Sequence, residues 1–211
     1  MNLYKEFYRK YQNQQTKTIP SERFRSIDGI LRSLKVEEDI AELGVAYGGT
    51  IKLINHYFKD TTIYAFDTFE GFAALPKEYT EKEADRWKDW GTKTIEWDKV
   101  LEELKQLENV ILKKGIFPDT TIGLENNTYS FVHIDTDIYL STMVGLEYFY
   151  PRMVKGGTIV IDDLFSPTKL IGSTFPQVRS AVKDYFEKQG IDYTKIVDFK
   201  NNIGHGVIIK E

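Results

Sequence analysis

Cysteine is absent from the 211 residues, and histidine occurs three times. Without thiols there is no disulfide framework, no thiolate nucleophile and no sulfur-rich zinc or iron–sulfur site, so any metal must rest on oxygen or imidazole. Long apolar runs are also missing. No stretch approaches the roughly 18 apolar residues of a membrane span, and the opening "MNLYKEFYRKYQNQQTKTIPSERFR" is polar and charged. The expectation is a cytoplasmic protein with no membrane partner. An excess of positive charge is lacking too: the formal net charge is −4, which disfavours nucleic acid.

What remains is an ordinary globular composition, with 41% hydrophobic and 28% charged residues. The length suits a single domain over 1–211, led by an N-terminal helical segment (1–36). Short apolar runs rich in branched residues alternate with amphipathic segments, the mark of βαβ units and a mostly parallel sheet. Strands are expected at 39–45, 62–67, 110–115, 129–135 and 157–163, with helices at 22–35, 49–58, 97–108, 140–150 and 175–190. In the last helix Val178, Ala181, Val182, Tyr185 and Phe186 share a face, with Pro176 in the first turn and Gly190 past the end. Two final strands, 193–199 and 206–210, flank the polar "KNNIGH" and read as an antiparallel hairpin. The fold class is α/β: a Rossmann-like, seven-stranded, mostly parallel sheet with helices on both faces.

Ligands of open α/β sheets bind beyond the carboxyl ends of strands. After the first strand, "AELGVAYGGT" places Gly44, Gly48 and Gly49 where the backbone turns tightly into a helix N-terminus. The spacing is not that of the dinucleotide fingerprint. Asp67 ends the second strand, positioned to accept ribose hydroxyls. Glu42, two residues before the first glycine, would repel a pyrophosphate but complement a sulfonium or ammonium, which favours S-adenosylmethionine over NAD. Tyr47 and Thr68 join these residues as cofactor-side candidates.

Carboxylates gather at two further strand ends, "HIDTDIY" (133–139) and "IVIDDL" (159–164). In an extended segment His133, Asp135 and Asp137 share a side, and Asp162 with Asp163 end the following strand. Such a cluster repels itself unless a cation joins it, and all-oxygen donors suit Mg²⁺ or Mn²⁺ rather than zinc. The plain alternative is that these acids are solvated or cap the following helices.

These same stretches, with "AFDTFEGF", "KKGIFPDT" and "VRSAVKDYF", resemble the macrocin O-methyltransferase (TylF-type) family of class I methyltransferases, in order from about residue 39 to 190. The resemblance implies an S-adenosylmethionine- and Mg²⁺-dependent enzyme that methylates a hydroxyl of a sugar or other natural-product acceptor. It implies metal ligation by Asp135, Asp162 and Asp163, a general base at Asp137, and cofactor contacts from Glu42, Gly44 and Asp67. Family members commonly carry an aromatic residue and Arg before the paired glycines, where this chain has Ala46 and Tyr47.

The chemistry is consistent with that implication. A sugar hydroxyl is a poor nucleophile at neutral pH; a divalent ion lowers its pKa, and a nearby carboxylate can take the proton. A metal-dependent glycosyltransferase or phosphohydrolase would share the D-x-D motif, but here the motif follows the fourth strand and no phosphate-binding lysine motif accompanies it. A non-catalytic binding protein of this fold is the third reading. The segment 68–98, with Trp87, Trp90 and Trp97 among many charges, is long for a strand-to-helix connection and reads as a lid insertion. The partner expected is a small-molecule hydroxyl acceptor, and the reading leaves room for a homo-oligomer.

Overall fold

The computed structural model describes residues 21–80, 95–164, 176–198 and 204–211. Helix α1 (Ser21–Ser33) precedes β1 (Asp39–Leu43), α2 (Gly49–Tyr57), β2 (Ile63–Asp67), a 3-10 turn at Phe72–Ala74 and a short α3 (Lys77–Thr80). Then come α4 (Trp97–Lys105), β3 (Val110–Lys114), β4 (Tyr129–Ile134), α5 (Tyr139–Phe149), β5 (Met153–Ile161), α6 (Pro176–Lys188), α7 (Tyr193–Ile196), β6 (Val197–Asp198) and β7 (Gly206–Ile209). The sheet runs β3-β2-β1-β4-β5-β7-β6. Strands β1 to β5 pair in parallel, and β7 is antiparallel to both β5 and β6. The expected seven-stranded α/β sheet is therefore present.

Side chains alternate across the sheet and feed two cores. Leu43, Phe66, Ile134 and Ile161 pack toward α5 and α6, whereas Ile40, Ala65, Phe131 and Val160 pack toward α1, α2 and α4. Helix α1 buries Phe24, Ile27 and Leu31, a three-then-four spacing that forms one helical stripe. The expected stripe of α6 is buried as well. That helix ends at Gly190 (φ 71°), where Gly190 N–H donates to Glu187 O and Ile191 N–H to Phe186 O, a Schellman closure.

Two expectations need correction. The strand read at 193–199 is instead a turn of helix, Tyr193–Ile196, followed by two strand residues. Asp192 caps it, accepting from Thr194 N–H at 3.1 Å and from the Thr194 hydroxyl at 2.6 Å, so a cap overrode the β-branched composition. Strand β5 also starts earlier than 157: Gly156 N–H donates to Lys210 O, and Lys210 N–H to Gly157 O, carrying the pairing through two glycines. Of the 68–98 insertion, residues 81–94, with Trp87 and Trp90, lie outside the described residues, as does most of the "KNNIGH" turn. Among the described residues no helix is long and apolar enough to cross a membrane.

Candidate functional site

Strand order reverses between β1, whose sequence neighbour β2 lies on one side, and β4 on the other. A crevice opens beyond the carboxyl ends of strands at such a switch point. Here it is a cavity of about 320 Å³, within the range of small-molecule sites. Glu42, Gly44, Tyr47, Gly49, Asp67 and Thr68 line it, and so do Asp135, Asp137, Asp162 and Asp163. Gly48 does not. Its φ of 74° turns the chain into α2, and a Cβ there would meet Leu104 Cδ2 at 2.9 Å, so its glycine serves backbone and packing.

The two halves of the site meet at Gly44. Its N–H donates to Phe66 O at 2.9 Å, and Asp135 N–H donates to Leu43 O at 2.8 Å, so the hydrogen bonding of β2, β1 and β4 continues past the strand ends. A Cβ on Gly44 would stand 1.9 Å from the Asp135 carbonyl oxygen, and its φ is 88°. Only glycine fits. The glycine turn and the acid-bearing strand are thereby held backbone to backbone.

Carboxylate oxygens of Asp135, Asp137 and Asp163 lie within 4.8 Å of one another, close enough for one ion. Burial and the neighbouring carboxylates of Asp162, Asp137 and Asp163 hold Asp135 well above the ordinary carboxylate range, with His133 opposing them. Asp162 is thus an electrostatic neighbour of the cluster and lies outside the trio of mutually close oxygens. The backbone here is strained: Asp137 has φ 60° and Asp163 φ 55°. Ile138 N–H closes a three-residue turn onto Thr136 O at 2.7 Å with Asp137 at its apex, a rare γ-turn with positive φ. Buried Thr142 braces it: its hydroxyl lies 2.9 Å from Ile138 O as donor and 2.9 Å from the Thr136 hydroxyl.

Glu42 and His133 are opposite residues of β1 and β4. Both are buried, and Glu42 Oε1 lies 2.8 Å from His133 Nδ1. Burial pushes the Glu42 carboxyl up, against the His133 and Thr50 hydrogen bonds. Burial pulls His133 down, but the Glu42 hydrogen bond and the charges of Glu42, Asp135 and Asp162 outweigh it and push the imidazole up to about 9. The hydrogen bond couples the two groups across the β1–β4 pairing. Glu42 lines the cavity while bonded to His133, an arrangement that depends on strand register.

Residues not singled out from sequence complete the wall. Phe24 of α1, Phe72, Leu75, Tyr79, Phe117 and Val144 line the cavity, and the Tyr79 hydroxyl donates to Phe117 O at 3.3 Å. Their apolar side chains carry no chemical motif. Only the rule that every loop after a parallel strand faces the ligand would have drawn attention to Phe72 and Phe117. Trp97 lines the cavity against the Phe69 ring, with centroids 6.2 Å apart. His56 and His205 lie outside the cavity lining, and His205 Nε2 is 2.9 Å from the Ser26 hydroxyl.

This sheet order, with an antiparallel β7 and a glycine turn beside strand-end acids, defines the class I methyltransferase fold. The solved structure of the O-methyltransferase NovP superposes with a TM-score of 0.72 at 20% identity, over 93% of this chain and 83% of that one. A Bacillus cereus O-methyltransferase in complex with SAH superposes with a TM-score of 0.59 at 14% identity, covering 100% of this chain and 91% of that one. The macrocin-O-methyltransferase (TylF) family model matches residues 16–200, and the chain belongs to that family. It is 26% identical to the 8-demethyl-8-(2,3-dimethoxy-alpha-L-rhamnosyl)-tetracenomycin-C 4'-O-methyltransferase of Streptomyces olivaceus, over 74% of this chain and 60% of that protein. It is 25% identical to the Mycinamicin III 3''-O-methyltransferase of Micromonospora griseorubida, over 74% of this chain and 63% of that protein. The chain thus spans about three fifths of the length of these curated relatives.

Proposed function

We propose that this protein transfers a methyl group from S-adenosylmethionine to a hydroxyl of a small, sugar-containing acceptor, with Mg²⁺ or Mn²⁺ at the acid cluster. The observation that carries the reading is the contact of Gly44 with the Asp135 backbone, which brings a cofactor-type glycine turn and a cluster of carboxylates into one cavity. Family membership and the sugar-directed activities named for the two relatives support the choice of reaction and acceptor class.

In this reading Gly44, Tyr47, Gly49, Thr68 and Asp67 hold the cofactor. Glu42, hydrogen-bonded to buried His133, lines the same cavity beside them. S-adenosylmethionine supplies an electrophilic methyl group, and a bound divalent ion supplies Lewis acidity that lowers the pKa of an acceptor hydroxyl. Asp135, Asp162 and Asp163 hold the ion, and Asp137 takes the acceptor proton. The mutual proximity of Asp135, Asp137 and Asp163 favours a second version in which Asp137 completes the ligand set. Three carboxylates drawn together, two of them at strained backbone, fit a divalent cation, because they are costly side by side without one.

The test is to measure release of S-adenosylhomocysteine from S-adenosylmethionine with a panel of glycosides bearing vicinal diols, in Mg²⁺ and in EDTA. Turnover in Mg²⁺ that stops in EDTA, with cofactor affinity unchanged, is expected. Full turnover in EDTA contradicts the metal mechanism.

A further inference from the structure

Among the described residues, the non-glycine residues with left-handed backbone are Ala46, Phe69, Asp137 and Asp163. The last two belong to the acid cluster. The first two have φ 46° and φ 51°, and the N–H groups of both donate to one side chain, Asp67. Asp67 Oδ2 accepts from Val45 N–H at 2.7 Å and Ala46 N–H at 3.0 Å, and Oδ1 accepts from Phe69 N–H at 2.7 Å.

An ionised carboxylate offers about four acceptor sites. Three are taken by backbone, and the Thr68 hydroxyl, 3.4 Å from Oδ1, divides its one proton between that oxygen and Gly71 O at 3.1 Å. A carboxylate reserved for gripping two ribose hydroxyls would need two open sites. This one keeps a single site, and the rest of its capacity ties the turn after β1 to the turn after β2. Hydrogen bonds to a charged acceptor are about twice as strong as neutral ones, which suits them to holding left-handed alanine and phenylalanine. Val45 and Phe69 are both buried, so their N–H groups would otherwise lack solvent.

We propose that Asp67 is a positioning residue that builds the cofactor loop before any cofactor arrives, clamping Val45, Ala46 and Phe69 through its carboxylate, and that it offers ribose at most one further hydrogen bond. The proposal deepens the cofactor reading of the cavity and rests on that reading only for ligand affinity. The clamp itself is a property of the free protein.

Amide hydrogen exchange by NMR on the wild-type protein without ligand tests it directly. Val45, Ala46 and Phe69 should exchange slowly, and exchange at free-peptide rates overturns the clamp. In Asp67→Asn and Asp67→Ala the same three amides should speed up by roughly tenfold or more, while the sheet amides of Ile40 and Ile63 keep their rates. The ligand-free melting midpoint should fall by roughly 4 °C or more, and affinity for S-adenosylhomocysteine by about tenfold or more. A variant that loses affinity but melts at or above the wild-type midpoint, with the three amides still protected, overturns the proposal and assigns Asp67 to ribose alone. Variants that do not fold leave the wild-type exchange rates to decide. Wild-type protein with protected amides that binds no S-adenosylhomocysteine supports the clamp and removes the cofactor reading instead.

Discussion

Replacing Gly44 with alanine tests the joint on which the whole site depends. The new Cβ would lie 1.9 Å from the Asp135 carbonyl oxygen, where contacts under 3.0 Å are essentially never seen, so the ends of β1 and β4 must part by roughly 1 Å. Overpacking of that kind costs about 1–3 kcal/mol. The φ of 88° adds about 1–2 kcal/mol for a residue with a side chain. Together the loss is about 2–5 kcal/mol, and for a domain of this size each kcal/mol lowers the melting midpoint by about 2–4 °C. Thermal unfolding of Gly44→Ala without ligand should therefore show a drop of about 4–20 °C. Even the folded fraction should turn over about a hundredfold more slowly, because a displacement near 1 Å misaligns donor and acceptor. A variant that melts within about 2 °C of wild type and binds S-adenosylhomocysteine normally would refute the backbone-to-backbone joint.

Other variants separate the roles of the acids. Alanine at Asp135, Asp162 or Asp163 should raise the Mg²⁺ concentration needed for turnover, with partial recovery at excess Mg²⁺; a loss indifferent to metal would take that residue out of the ligand set. Asp137→Asn should lower turnover by about 10² to 10⁴ without metal rescue if the residue is the base, whereas rescue assigns it to the ion. Its melting midpoint in EDTA should rise, since one of the crowded carboxylates loses its charge and asparagine tolerates left-handed backbone; a fall would contradict the account of repulsion. Thr142→Val removes the hydroxyl that braces the Asp137 turn and should cost about 1–3 kcal/mol, read by urea unfolding, together with a slower rate at saturating Mg²⁺. Unchanged kinetics would show that the turn holds its shape without the brace.

The sequence made strands β1 to β4 legible because each is short, carries branched or aromatic apolar residues and is followed by or ends in a glycine or an acid. The candidate acids could be read for the same reason: a carboxylate at the end of a buried parallel strand is conspicuous against branched apolar neighbours. Less visible was anything that depends on pairing between distant segments. The Glu42 and His133 bond needs the β1 to β4 register, and the Asp67 clamp needs two turns that are 22 and 2 residues away in the chain. At Tyr193–Ile196 the cap signal of Asp192 was present in the sequence but competed with β-branched neighbours. The apolar wall from Phe24, Phe72 and Phe117 carries no motif, because shape rather than chemistry recruits such residues.

The central claim is that the crevice between β1 and β4 is an S-adenosylmethionine pocket. Calorimetric titration of the wild-type protein with S-adenosylhomocysteine, NAD and a nucleotide sugar, each in Mg²⁺ and in EDTA, tests it most directly. The account predicts saturable binding of S-adenosylhomocysteine with the same affinity in both buffers, and none of NAD. Binding of NAD, or metal-dependent binding of the nucleotide sugar with no response to S-adenosylhomocysteine, would contradict it.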